Sequence, residues 1–253
     1  MAVRLLIMIC GLKLVFGKHE GFIVGGDYVD SINDFPHVAA LYVYHSDREG
    51  DNFCGSSILN QYILLTAAHC VVNDVVKVTA FVGSLDRGNG KLHRIDRYVQ
   101  HERWDIPTDS NDIALVRLKT PLLFDETVKR VILMKTPPKV KVAEVAGWGT
   151  VDEVTIIASN ILKYTKQKLW TLKECRKVLK DAPDGTICGG RINAKKNFAS
   201  YGDSGSGLIV NKNIIIGIAS FKVVEITTSL LVYTDVAYFY DWILVESTRL
   251  ACS

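Results

Sequence analysis

The sequence predicts an all-β protein, built from barrels or sandwiches, that ends in an α-helix. At 253 residues the chain is long enough for one large all-β unit or two small ones, and its 48% of hydrophobic residues can fill a sizeable core. Short apolar runs alternate with turn residues along most of the chain, which is typical of barrels and sandwiches. From Asp235 onward the apolar residues instead follow helical spacing.

The apolar runs are predicted to be β-strands because they are short and rich in β-branched and aromatic residues. Seven runs have this character. They are Leu41–Tyr44, Ile63–Leu65, Val76–Val82, Ala114–Leu118, Val142–Ala146, Ile214–Ile216 and Leu230–Tyr233. Pro121, Pro137 and Pro138 fall in the middle third of the chain and fit a connection between two β units.

Two helices are predicted. Thr171 and Glu174 have the spacing of a capping box, in which each side chain satisfies the other's backbone N–H, so a short helix should begin there. The second helix closes the chain, because its apolar residues recur on one face. Those residues are Val236, Phe239, Tyr240, Ile243 and Leu244.

Residues 1–17 are predicted to be a secretory signal peptide. Arg4 precedes the apolar run 5–12, and Gly17 is a small residue near a cleavage point. No stretch of about 18 apolar residues occurs, so neither a transmembrane helix nor a membrane partner is predicted. A secretory leader and six cysteines together favour an extracellular, disulfide-containing protein, although Cys10 would leave with the signal.

Composition excludes several classes of function. The net charge of +3 is small, and no basic run with interleaved aromatic residues appears, so a nucleic-acid partner is not expected. No H-E-x-x-H zinc motif occurs, and the loop between Val82 and Ile95 offers calcium a single acid, Asp86. The sequence therefore predicts neither a metal nor a cofactor.

Three fragments predict nucleophilic catalysis. His69 precedes a cysteine, Asp112 opens an apolar run, and Ser204 lies between glycines. A serine hydroxyl is a poor nucleophile at neutral pH, so an imidazole must take its proton and a buried carboxylate must orient that imidazole. Glycines beside the serine let backbone N–H groups reach a developing oxyanion.

The chain order of these residues excludes one rival fold. In α/β-hydrolases the nucleophile precedes the histidine. All six histidines here lie before Ser204, so that order is impossible with Ser204 as the nucleophile. The order histidine, aspartate, serine remains.

Five motifs occur in one order along the chain: Ile23-Val24-Gly25-Gly26, Cys54-Gly55-Ser56, Ala67-Ala68-His69-Cys70, Gly147-Trp148-Gly149 and Val232-Tyr233-Thr234. With the fragment around Ser204, they resemble the secreted chymotrypsin/trypsin-like serine protease family, peptidase S1. The resemblance implies two six-stranded antiparallel β-barrels with a C-terminal α-helix. It places one protease domain over residues 23–250, with the barrel boundary near 121–138.

The family's activity implies a secreted serine endopeptidase that acts through an acyl-enzyme intermediate. His69 and Asp112 would come from the first barrel and Ser204 from the second. The oxyanion hole would be the N–H groups of Gly202 and Ser204, and Ser220 would support Asp112. The expected partners are protein or peptide substrates and proteinaceous protease inhibitors, and the chain is expected to be a monomer.

The resemblance also implies activation by cleavage. Residues 18–22 would be a short propeptide, and the new α-ammonium of Ile23 would pair with Asp203. The family normally cuts after Arg or Lys, whereas Phe22 precedes Ile23 here. A chymotrypsin-like activator would therefore be needed, or the chain would stay a zymogen.

The implied disulfides are Cys54–Cys70 and Cys175–Cys188. Cys252 is left over, as a free thiol or as one half of an intermolecular bridge. A third bridge usual in the family is expected to be absent, because Ser200 stands where its first cysteine should be.

The substrate pocket departs from the family pattern. Phe198 would be its floor, where trypsin-like members have an aspartate, and an apolar floor cannot bind Lys or Arg without a charge partner. Ser220, Phe221 and Lys222 stand where Ser-Trp-Gly is usual, and Leu231 replaces a glycine. The expected specificity is non-tryptic and restricted, with small residues such as Ala or Val favoured. The alternative is a protease-like binding protein with weak or no hydrolysis.

Overall fold

The computed structural model describes residues 26–45, 51–72, 75–152, 157–192, 194, 198–222, 227 and 229–252. The predicted signal peptide, the predicted propeptide and Ile23 lie outside the described residues. Most of the described chain is β-strand, as predicted. No helix in these ranges is both long and apolar enough to cross a membrane.

Sixteen strands occur in the described ranges. They are β1 Asp27–Tyr28, β2 Val38–His45, β3 Asp51–Ile58, β4 Ile63–Thr66, β5 Val75–Val82, β6 Lys91–Gln100, β7 Ala114–Leu118, β8 Ile132–Leu133, β9 Val142–Gly147, β10 Thr150–Asp152, β11 Ile157–Ala158, β12 Lys163–Trp170, β13 Thr186–Gly190, β14 Gly207–Val210, β15 Ile214–Phe221 and β16 Leu230–Asp235. Each of the seven predicted strands lies inside one of these.

Two closed antiparallel barrels contain most of the strands, which confirms the predicted architecture. The first barrel runs in the order β2-β3-β4-β7-β6-β5 and closes where β5 pairs with β2. The second runs β9-β12-β13-β16-β15-β14 and closes where β14 pairs with β9. The segment 121–138, where the sequence predicts the boundary, lies between the last strand of the first barrel and the first strand of the second.

The remaining short strands lie outside the two barrels. β1 pairs with β12, β8 runs parallel to β15, and β10 and β11 form a separate two-stranded sheet. Helix α1, Leu172–Cys175, begins at the predicted capping box, where the Thr171 hydroxyl accepts the Glu174 N–H and a Glu174 carboxylate oxygen accepts the Thr171 N–H.

The C-terminal helix α2, Tyr240–Cys252, begins five residues later than the spacing from Asp235 predicts. Asp235 ends strand β16, and its carboxylate accepts the N–H groups of Ala237 and Tyr238, so the chain turns before the helix starts. Ile243 of α2 is buried in the core of the first barrel, although α2 follows β16, the last strand of the second barrel. The helix therefore packs back onto the first barrel.

Candidate active site

His69 and Asp112 are held together by two hydrogen bonds. His69 lies in the 3-10 helix Ala68–Val71, directly after β4, and Asp112 lies directly before β7, the neighbour of β4. The His69 Nδ1 donates to Asp112 Oδ2 at 2.8 Å, and the His69 backbone N–H donates to Asp112 Oδ1 at 2.9 Å. Both carboxylate oxygens thus hold the same residue, which fixes the imidazole orientation.

Asp112 is buried, and groups from the second barrel complete its hydrogen bonds. Only 1% of its surface is exposed. The Ser220 hydroxyl of β15 donates to Asp112 Oδ2 at 2.5 Å, and the Thr234 hydroxyl of β16 donates to the Asp112 carbonyl oxygen at 2.7 Å. Asn111 has a positive φ of 57°, a conformation that asparagine tolerates, and this places Asp112 at the turn into β7.

Each partner stabilises the charged form of the other and so shifts its pKa. Burial alone would raise the pKa of Asp112, but the hydrogen bonds and positive charge of His69 and the Ser220 hydroxyl hold it below its ordinary value. Burial alone would lower the pKa of His69, but the hydrogen bond and charge of Asp112 and the more distant charge of Asp109 raise it. The imidazole is therefore a stronger base than an isolated histidine.

Ser204 lies across a cavity from this pair. The cavity has a volume of about 470 Å³, and both His69 and Ser204 line it. In the described part of the chain no hydrogen bond joins the Ser204 hydroxyl to the imidazole, a common state of catalytic pairs before substrate binds. The Gly55 N–H donates to the Ser204 carbonyl oxygen at 2.7 Å, which ties the serine loop to the first barrel.

The loop around Ser204 presents backbone donors. Gly202 and Gly205 have positive φ values of 86° and 79°, which favour glycine, and at Gly205 a side chain would strike Thr66 and Gly55. The N–H groups of Gly202 and Ser204 donate to no other group within the described ranges. An oxyanion hole requires N–H groups that lie beside the serine and have no other acceptor.

Asp203 is buried, although it also lines the cavity, and its carboxylate is held by backbone N–H groups. Its Oδ1 accepts the Gly149 N–H at 2.9 Å, and its Oδ2 accepts the Ser200 N–H at 2.9 Å. A side chain at Gly147 or Gly149 would collide with the carboxylate, so glycine is required at both positions. Burial raises the Asp203 pKa to about 6, against the lowering effects of these N–H groups and of Lys222.

The predicted pocket residues fall into two groups. Ser220, Phe221, Lys222 and Leu231 line the cavity together with His69 and Ser204. Phe198 does not appear among the residues described along that cavity; it is buried, with the Lys222 Nζ 5.2 Å from its ring centre. The same Nζ donates to the Ser200 hydroxyl at 3.2 Å. Lys222, which the sequence predicts as a pocket residue, thus brings an ammonium group to the cavity.

Two disulfides occur among the described cysteines. One joins Cys54 to Cys70 beside His69, and the other joins Cys175 to Cys188, while the thiol of Cys252 is exposed and free. Cys54, Cys70 and His69 come close enough to suggest a metal cluster, but the disulfide removes both thiolates that a metal would need.

Sequence reasoning missed three groups around the site. Thr234 was seen only as part of a motif, and nothing in the sequence signalled its bond to Asp112. Asp109 lines the cavity with a positive φ of 50° and raises the pKa of His69. Gly147 belongs to a motif, but the sequence does not show that it lies against the Asp203 carboxylate and leaves no room for a side chain there.

Comparisons with known proteins show the family to which the chain belongs. The sequence model of the Trypsin family matches residues 23–243. Trypsin epsilon of Drosophila erecta is 32% identical, over 88% of this chain and 87% of the relative. Hypodermin-A of Hypoderma lineatum is 31% identical, over 87% of this chain and 88% of the relative.

A solved structure shows the same fold. The scabies mite inactivated protease paralogue S-D1 has a TM-score of 0.78 and 24% identity, and the likeness covers 89% of this chain and 97% of that one. At this identity the likeness concerns architecture alone. The family match and the two relatives carry the assignment further: this chain belongs to the trypsin family of serine proteases and is a serine-type endopeptidase.

Proposed function

We propose that the protein is a secreted serine endopeptidase in which Ser204 is the nucleophile, His69 the general base and Asp112 its orienting carboxylate. The observation that carries the proposal is the His69–Asp112 pair, 2.8 Å from Nδ1 to Oδ2, on the wall of the cavity that Ser204 also lines. Secretion is supported by the signal-like residues 1–17 and by two disulfides, which persist in oxidising compartments.

The proposed reaction has two halves. Because the His69 Nδ1–H donates to Asp112, the Nε2 carries the lone pair that accepts the Ser204 hydroxyl proton. The Ser204 oxygen bonds to the substrate carbonyl carbon, and the carbonyl oxygen takes the electron pair and receives the N–H groups of Gly202 and Ser204. As the C–N bond breaks, His69 returns the proton to the leaving amine, which leaves an acyl group on Ser204.

Water completes the cycle by the same route. His69 accepts a proton from water while the water oxygen bonds to the acyl carbon, and the proton returns to the Ser204 oxygen as the acid leaves. Throughout, Asp112 remains ionised and stabilises the imidazolium. A fluorophosphonate reagent tests the proposal: protein that begins at Ile23 should be labelled at Ser204 and should hydrolyse peptides.

The specificity is proposed to be non-tryptic, and this yields a direct prediction. Peptides with Arg or Lys before the cut should have kcat/KM values at least about tenfold below matched peptides with Ala, because a second cation would approach the Lys222 ammonium. The measurement is kcat/KM for a peptide series that varies only at this position. Preferred cleavage after Arg would contradict the pocket assignment.

The pH dependence follows from the raised pKa of His69. The base works only when neutral, so kcat/KM should fall about tenfold for each pH unit below that pKa. The midpoint of this acid limb of the pH profile should lie above the ordinary histidine pKa of about 6.5. The measurement is kcat/KM against pH with an uncharged substrate.

A charge-removing variant provides the control for this limb. Asp109→Asn should move it to lower pH, because the Asp109 charge helps to raise the His69 pKa. Asparagine also tolerates the positive φ at this position. A limb that does not move in the variant would contradict the influence assigned to Asp109.

A further inference from the structure

We propose that Lys222 determines the substrate class, and that the enzyme prefers an acidic side chain before the cleaved bond. This inference rests on the proposed function, since it concerns the pocket that serves Ser204. It replaces the preference for small residues such as Ala or Val, which the sequence predicted from the apolar floor at Phe198 and the replaced wall residues.

The Lys222 ammonium is built into the pocket wall. Its Nζ donates to the Ser200 hydroxyl at 3.2 Å. The same atom lies 5.2 Å from the ring centre of Phe198 and 5.4 Å from that of Tyr201, within the range of cation–π attraction. A hydroxyl and two aromatic rings thus contact the ammonium of a side chain that lines the same cavity as the nucleophile.

The position of Lys222 in the fold supports a role in recognition. It follows directly after β15, which carries the Ser220 that hydrogen-bonds to Asp112. Lys222, Ser204 and His69 line the same cavity. A side chain that enters beside the scissile bond therefore meets the ammonium within the same space that holds the nucleophile and the base.

Charge decides which side chain fits. A carboxylate that leaves water needs an ionic or hydrogen-bonding partner, and an ammonium supplies both. A substrate Arg or Lys would meet a like charge, and a purely apolar side chain would gain no ionic interaction with the ammonium. Asp203 also acts on this ammonium, but both of its oxygens accept backbone N–H groups of the wall, which fixes its carboxylate there.

Isosteric substrates test the proposal. Protein that begins at Ile23 is assayed with two peptide pairs that differ only before the cut, Glu against Gln and Asp against Asn. The expected ratio of kcat/KM is about tenfold or more in favour of the acid within at least one pair, which corresponds to about 1.4 kcal/mol. The ratio should shrink as salt is raised, because screening weakens a partly exposed ion pair. A ratio near one in both pairs would overturn the proposal.

Variants identify the residue responsible. Lys222→Gln should bring the acid-to-amide ratio to about one, and Lys222→Glu should reverse the preference toward Lys over Gln. Lys180→Gln removes the same charge from an exposed lysine that does not line the cavity, so it should leave the ratio unchanged. A preference for acids that persists in Lys222→Gln would overturn the assignment to Lys222.

Labelling by a fluorophosphonate distinguishes failure of the proposed function from failure of the proposed acidic specificity. Wild-type protein that is not labelled at Ser204 contradicts the proposed function itself. Wild-type protein that is labelled but has equal rates within both pairs contradicts only the assignment of acidic specificity. Should the Lys222 variants fail to fold, the wild-type ratios and their salt dependence still decide the question.

Discussion

Replacing His69 with alanine is expected to reduce peptide hydrolysis by several orders of magnitude and to abolish fluorophosphonate labelling of Ser204. Without the imidazole the proposed acceptor of the serine proton is lost, and the hydroxyl is a weak nucleophile at neutral pH. The measurement is the rate of labelling and the kcat/KM of His69→Ala beside the parent, both beginning at Ile23.

Three further variants sharpen this result. Ser204→Ala should remove the labelled atom, and Asp112→Asn should cost about 10⁴-fold in kcat, because the imidazole would adopt the wrong tautomer. His93→Ala provides the matched control, since this histidine lies in β6 and not among the residues that line the cavity. It should label at the parental rate.

Two outcomes would contradict the proposed roles. Labelling that survives in His69→Ala would mean that no general base acts on Ser204. A parent that begins at Ile23 and neither labels nor hydrolyses any peptide would favour a protease-like binding protein instead.

The sequence predicted the strands whose apolar residues fill a barrel interior. Ala114–Leu118 has the predicted bounds, and nearly all of it is buried. Two of the long strands that were not predicted have polar compositions. Lys91–Gln100 alternates charged residues on an exposed face, and Lys163–Trp170 contains three lysines. Such strands are specified by their partners in the barrel and leave a weak local signal.

The candidate site was predictable where chemistry dictates residue type and order. Histidine, aspartate and serine in that order leave few alternatives once the α/β-hydrolase order is excluded. The direction of a long side chain is a different matter. The sequence does not show that the Lys222 ammonium would contact Ser200, Phe198 and Tyr201, because those contacts depend on the packing of separate segments. The Gly149 hydrogen bond of Asp203 likewise depends on a contact between segments 54 residues apart.

Cleavage before Ile23 is expected to activate the protein, and the buried carboxylate of Asp203 is the reason. In a chain that begins at Lys18, the Ile23 nitrogen belongs to a peptide bond and carries no charge. In a chain that begins at Ile23, the same nitrogen is an α-ammonium that can pair with Asp203. Because the Gly202 and Ser204 N–H groups flank Asp203 directly, its pairing should order the oxyanion hole.

Stability should report the same pairing through its pH dependence. Burial raises the Asp203 pKa to about 6, above the unfolded value of about 3.9. A raised carboxyl pKa contributes stability that is fully present below the unfolded pKa and is lost as pH rises through the folded pKa. The Lys18 form should therefore lose about 2 kcal/mol between pH 4 and pH 7 from this group. The Ile23 form should escape most of that loss, because the ammonium favours the ionised carboxylate.

The experiment compares the two forms in two ways. Urea unfolding at pH 4 and pH 7, in a Ser204→Ala background that prevents self-digestion, should show a stability gap that opens only at the higher pH. Peptide hydrolysis by the unmutated forms at pH 7 should be at least about tenfold faster for the Ile23 form, since an unpaired buried charge costs about 3–5 kcal/mol. Asp203→Asn removes the charge and should make the two forms equal in stability at both pH values. Equal activity of the two unmutated forms would show that Ile23 and Asp203 do not form the proposed switch.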